Sequence, residues 1–509
     1  MRGFLAASVR LGLCVVLATP FAVGQLGIGP ITTTVKFPKK RVGHPGNTIA
    51  QGFALQEVAT GSDLLENPSG PITTFGQLTD GTLTEADQNT YLVMKHNPGG
   101  PVPGYDYGRH FLFQGHENGG GNAYITRINL DITSKAHRIT LLSPVGPSGQ
   151  TGFSAIDGST YDPFSKTLLF TQEDGGAVIE INATWPPTLH TLDGVMGVTG
   201  YEGIHPDDRG NLIMAEDIGG TTVNVDPNNP DSPKVAKQPN SFVYRFLPND
   251  PTSLSAGGKL QALQVLIDGQ PVVFHADDPA GDVFSLNQLL LHTPGTSYPI
   301  QWVTVHDTSV DGFDPFDENA LAKAAGATPF KRPENLQYLP RSGYQTFFFC
   351  PTGDTNADAG AQEALRERGT WGSIFRVDLG EDRDSGMISI FVLGTKEQNS
   401  FDNLTFADDH TLLGAEDRGD GLHAQLNTLD SIWAFTTDGS ESPKRFLALG
   451  RDKIAETRGD NEPTGVHVSN GSTDPTRQPG TIDNLVHARA FFTRQHGQNT
   501  VYEIVKTLN

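Results

Sequence analysis

The sequence predicts an all-β fold, a β-propeller, on three observations. Acid-led segments recur along the chain, each opening a short apolar-alternating strand. The 58 glycines and 34 prolines are spread through all 509 residues, as many short strands joined by turns require. No linker divides the chain, and long repeat β folds routinely exceed the usual domain size.

The repeat carries most of the information. An acid followed by Gly, Asn or a small residue leads into a strand, a turn follows, and a second strand ends in a polar or acidic cluster. The copies begin at Asp157-Gly158, Glu202-Gly203, Glu334-Asn335, Asp402-Asn403 and Glu462-Pro463. Three of them end at Glu173, Glu216 and Glu416, placing the two acids 16, 14 and 14 residues apart. Strands rise about 3.3 Å per residue, so two antiparallel strands of about six residues return the chain to one end. Both acids of each pair are therefore expected at the same rim. An earlier blade includes Phe111 to Asn118, and the interval between Glu202 and Glu334 has room for another around Gln301 to His306. Six blades is the count, with seven the alternative; four-stranded blades of this size lie within the propeller range. Glu318–Ala325 and 361–367 read as short helical insertions.

Residues 1–24 read as a secretory signal, with Arg2 and Arg10 beside an apolar run and Ala22-Val23-Gly24 before Gln25. The run is short for a membrane span. The expectation is a secreted or periplasmic protein whose residues 25–509 form one propeller domain, a monomer with no transmembrane segment. Cys14 leaves with the signal, so Cys350 remains alone and cannot form an intramolecular disulfide. The formal charge of −22 argues against nucleic acid or an anionic membrane as partner and fits a protein that meets cations.

Asp-Gly and Asp-Asn are also ordinary turn punctuation. In a propeller, however, the innermost strands converge on the axis, and carboxylates at their ends would repel one another. A divalent cation resolves that conflict, and oxygen-only clusters favour hard ions such as Ca²⁺ or Mg²⁺.

These residues resemble the PhoX-type alkaline phosphatase family, six-bladed propellers with calcium and iron at the centre. The likeness runs from about His116 to His496 and is sharpest at Arg332-Pro333-Glu334. It implies a metal-dependent phosphomonoester hydrolase acting on a small phosphorylated substrate. By position it makes Glu173, Glu202, Glu334 and Asp402 metal ligands and Arg332 the phosphate-contacting cation. A guanidinium fork suits phosphate oxygens, and residues two apart on an extended segment share a face. His116 or His496 is a candidate proton carrier. One departure concerns iron: Thr171-Gln172-Glu173-Asp174 stands where the family has Thr-Cys-Glu-Glu, which puts Fe³⁺ in doubt and leaves Ca²⁺ as the expected ion. The export signal also lacks the twin arginines suited to folded, metal-loaded cargo. Two other readings stay open: a lactonase-like, calcium-stabilised hydrolase, which would not need Arg332, and a non-catalytic binding or surface module.

Overall fold

A computed structural model describes residues 26–173, 175–354, 362–417, 421–454 and 461–507. The proposed signal segment and Asp174 lie outside the described residues.

Among the described residues six antiparallel units of four strands follow one another, the third and fourth joined in one ten-stranded sheet and the fifth extended by Thr48–Ile49. Blade one opens with Glu85–Val93 and His110–Glu117, blade two with Ile156–Asp162 and Thr167–Gln172, and blade three with Ile204–Pro206 and Leu212–Ala215. Blade four opens with Pro333–Tyr338 and Thr346–Pro351, blade five with Phe401–Phe406 and Thr411–Glu416, and blade six with Glu462–Ser469 and Arg489–Gln495. The first strands touch in cyclic order, six against one included, so the ring closes. The outermost strand of blade six is Phe53–Ala59, which enters from the N-terminal end and pairs with Thr500–Lys506. Closure thus ties the two ends of the described chain together.

The second strands read as unbroken apolar runs because both of their faces are buried, each against a neighbouring blade. Phe347 and Phe349 pack toward blade three, while Phe348 and Cys350 pack toward blade five. Phe111 and Phe113 face blade two, while Leu112 faces blade six. Six large apolar clusters therefore lie in the six gaps between blades.

The interval expected to hold a blade near Gln301–His306 holds something else. Ser297–Asp307 is a long strand pairing with Gly258–Ile267 of blade three and Ser385–Leu393 of blade four. It splices the outer edges of two blades, which covers edges that would otherwise be open to pairing. Glu318–Ala324 is helical as expected, and Glu363–Arg368 forms a 3₁₀ helix.

The glycines that follow Asp157 and Glu202 have a steric cause. A Cβ on Gly158 would sit 1.8 Å from the carbonyl oxygen of Glu202, because the first strand of blade three lies directly against it. Thr171 Oγ1 donates to that same carbonyl at 2.6 Å. Gly203 N donates to Glu334 O at 2.7 Å, linking blades three and four in the same way. Gly158→Ala is expected to lower stability by about 2–3 kcal/mol through overpacking. A shift of the denaturant midpoint reads it; an unshifted midpoint would mean that the blades slide apart freely.

Candidate metal and phosphate site

The first strands bring an acid from every blade to the axis. Glu85 and Asp87 come from blade one, Asp157 and Glu202 lead into blades two and three, and Glu334, Asp402 and Glu462 come from the remaining three. Second-strand ends add Glu117 and Glu173, and Asp417 follows the second strand of blade five. The result is a cavity of about 390 Å³ walled by ten carboxylates, with Arg332 and Lys237 as its two fixed cations.

All five residues expected from the sequence, Arg332, Glu173, Glu202, Glu334 and Asp402, line this cavity. Two tight groups form within and beside it. Glu173, Glu202, Asp217 and Glu334 each offer an oxygen within 4.8 Å of the others, as do Asp87, Glu117 and Asp157. Asp402 stands in the same wall outside both groups. Its carboxylate accepts from Asn403 Nδ2 at 2.5 Å, and Asn403 Oδ1 in turn accepts from Thr464 Oγ1 at 3.2 Å.

Burial, reinforced by neighbouring carboxylates, pushes Glu117, Asp157, Glu202 and Asp402 well above the usual carboxylate range. Burial also raises Glu334, although Arg332 opposes it. Burial carries Asp87 and Glu173 up to about 7. Such packing of like charges is unstable as bare anions. Buried Glu202 Oε2 and Asp157 Oδ1 have no hydrogen-bond partner. Orphaned acceptors in oxygen-only groups fit hard divalent cations.

Arg332 is held from three sides. Its Nε donates to both oxygens of Asp217 at 3.1 and 3.0 Å, and Nη2 reaches Glu334 at 3.0 Å. Nη1 approaches Asp417 at 3.7 Å. Burial works against its charge, but Asp217, Glu334 and Asp417 hold the guanidinium protonated. The backbone there is left-handed, with φ of 56°, and Thr352 N donates to Arg332 O at 2.8 Å. Such a conformation costs about 1–2 kcal/mol in a non-glycine residue, and strain of this kind gathers at functional sites. Behind it, buried Lys331 pairs with Asp354 at 2.8 Å.

Lys237, like Glu85 and Asp87, is a lining residue the sequence did not offer. It ends a hairpin strand, Lys234–Lys237, inserted within blade three, outside the repeat. Burial, then the nearby Arg332 charge, lowers its pKa.

Several expectations need correction. Glu216 and Glu416 do not reach the axis with their partners. Glu216 accepts from Phe242 N at 2.9 Å and Tyr244 Oη at 3.1 Å, and Glu416 accepts from Ser431 N and Trp433 Nε1 at 2.8 Å. Both brace the third strand of their own blade. The acid one residue later, Asp217 or Asp417, approaches Arg332 instead, because successive side chains leave a strand on opposite faces. His116 is no proton carrier at the axis. It is buried against Phe75 and Tyr124, and burial lowers its pKa to about 3. His496 does line the cavity, with Nδ1 2.9 Å from Glu85 and Nε2 2.9 Å from Glu462.

The donors do not fit a thiolate-held iron. Gln172 gives its amide nitrogen to Ala177 O at 2.6 Å, and its oxygen accepts from Ser154 N at 3.1 Å. Both ends serve the backbone. Cys350 is buried, and its Sγ donates to Asp402 O at 2.7 Å. Burial raises its thiol further.

The family model described as alkaline phosphatase PhoX matches residues 222–465, a span that includes Lys237, Arg332, Glu334, Asp402 and Glu462. Over that span the chain resembles the PhoX-type family. In fold it is similar to Pseudomonas fluorescens PhoX in complex with vanadate, at 12% identity and a TM-score of 0.55, covering 95% of this chain and 98% of that one. A Xanthomonas campestris gluconolactonase follows at 11% identity and TM-score 0.40, covering 94% and 100%. The virginiamycin B lyase of Staphylococcus aureus gives 11% and 0.38, covering 90% and 100%. No curated protein matches by sequence. Among the described residues, no helix is long and apolar enough to cross a membrane.

Proposed function

We propose that this PhoX-type protein is an exported, calcium-dependent phosphomonoester hydrolase. The observation that carries the reading is a guanidinium held by three carboxylates at the edge of two carboxylate groups built for cations. A lactonase has no need of such a fork.

In this reading Glu173, Glu202, Asp217 and Glu334 hold one calcium, and Asp87, Glu117 and Asp157 a second. The metals, when bound, neutralise phosphoryl oxygens and lower the pKa of attacking water. Arg332 binds the phosphoryl group and stabilises the charge that develops on it. Lys237 adds a second, compact charge to the cavity. His496, bridging Glu85 and Glu462, moves a proton at Nε2 or Nδ1. Asp402 holds the wall in register through Asn403. A thiolate-held iron has no part, because Gln172 and Cys350 are committed to backbone groups. Residues 25–509 would form the one exported domain, acting as a monomer after 1–24 is removed.

The test is hydrolysis of p-nitrophenyl phosphate by chelator-treated protein, before and after Ca²⁺ is restored. Turnover that returns with calcium alone supports the reading. No turnover, with calcium still raising the melting temperature, would mean a structural cation site. Cys350→Ala should keep calcium-dependent turnover, with stability lower by about 1–2 kcal/mol; lost turnover in a folded variant would return the thiol to the chemistry.

A further inference from the structure

A second cavity, of about 690 Å³, opens between blades five and six. Its polar lining is the opposite of the axial one. Arg451, Lys453, Arg494 and His44 face it, against Asp452 and the exposed Glu57. In a chain of net charge −22 such a gathering of cations is out of keeping with the rest of the molecule.

Arg494 is the informative member. It is only 8% exposed, yet its Nε has no hydrogen-bond partner. Its other contacts are long: Nη2 lies 3.5 Å from Thr500 Oγ1 and 3.6 Å from Asp452 Oδ2. Its guanidinium lies over the Tyr502 ring at 5.7 Å. Asp452 does little to satisfy it, because Asp452 is committed to backbone donors. Its Oδ1 accepts from Ile454 N at 2.9 Å and its Oδ2 from Gln498 N at 2.8 Å. A buried guanidinium with an orphaned donor, beside further cations in a cavity, is what an oxyanion would complete.

We propose that this cavity is a second site, one that binds a phosphoryl group, whether as free phosphate or as the phosphate of a small ester. Arg494 supplies the buried donor, Arg451 and Lys453 the outer charges, and Tyr502, Leu55 and Ile49 a wall for an ester's body. The segment 494–498 separates the two cavities: Arg494 and Gln498 face this one, while Gln495 and His496 face the axis. The site does not depend on catalysis at the axis.

The experiment is calorimetric titration of calcium-loaded Arg332→Ala protein, which weakens axial phosphate binding without touching the second cavity. Inorganic phosphate is one titrant and non-hydrolysable phenylphosphonate the other. One equivalent should bind, and Arg451→Gln with Lys453→Gln should weaken it by on the order of tenfold or more. Lys453 is exposed, so the single Lys453→Gln change gives a folded reference and a smaller weakening. Tighter binding of phenylphosphonate assigns the site to esters, and equal binding to free phosphate. Absence of binding at about 10 mM ligand, or binding untouched by the Arg451 and Lys453 changes, overturns the proposal.

Discussion

Arg332→Ala is expected to lower kcat toward a phosphomonoester by about 10²- to 10³-fold. The guanidinium already sits in place, fixed by Asp217 and Glu334 at 2.9–3.1 Å, so it need not reorganise as charge builds on the phosphoryl oxygens. Arg332→Lys should recover little, since an ammonium cannot reproduce the fork while also holding Asp217. Calcium content should survive in both variants: Arg332→Ala removes a cation from beside Asp217 and Glu334, which favours another there, and Arg332→Lys leaves the local charge as it was. Steady-state kinetics with metal analysis check this. Unchanged kcat in a calcium-replete Arg332→Ala protein would sink the assignment.

Metal removal should invert the pH dependence of stability. In the metal-free fold Asp87 and Glu173 keep their protons up to about pH 7. In the unfolded chain they release them near the ordinary values of 3.8 and 4.5. Between these limits the folded state binds more protons than the unfolded one, so stability falls as pH rises from about 4 to 7. The metal-free protein is thus expected to melt higher at pH 5 than at pH 7.5. Calcium, which binds the ionised carboxylates, should reverse the order and add about 4 kcal/mol per site at a thousandfold excess over Kd. Thermal melts at the two pH values, with and without Ca²⁺, read both effects. A metal-free protein more stable at pH 7.5 would mean that the carboxylates are already compensated within the chain.

The repeat was legible because packing enforces it. The leading acids mark where first strands meet the next blade, and Gly158 and Gly203 show why the residue after Asp157 and Glu202 is glycine. The second-strand acids were misread by one position. In Glu216-Asp217 and Glu416-Asp417 both residues are acidic, and only the end of the strand decides which one turns to the axis. Glu85 and Asp87 escaped because blade one was recognised through its second strand, and the polar run Gln88-Asn89-Thr90 hides the first. Lys237 escaped because an insertion delivers it, and Phe53–Ala59 gives no local sign that it will close blade six. The Gln301–His306 region has the composition of a strand, but its partners are the outer edges of two blades, which no periodicity reveals.

The most direct measurement is a paired turnover assay of the calcium-loaded protein on p-nitrophenyl phosphate and on a simple lactone, with Arg332→Ala alongside. The account predicts hydrolysis of the phosphoester alone, suppressed in the variant. Hydrolysis of the lactone with no phosphoester turnover, undiminished by the loss of Arg332, would contradict it.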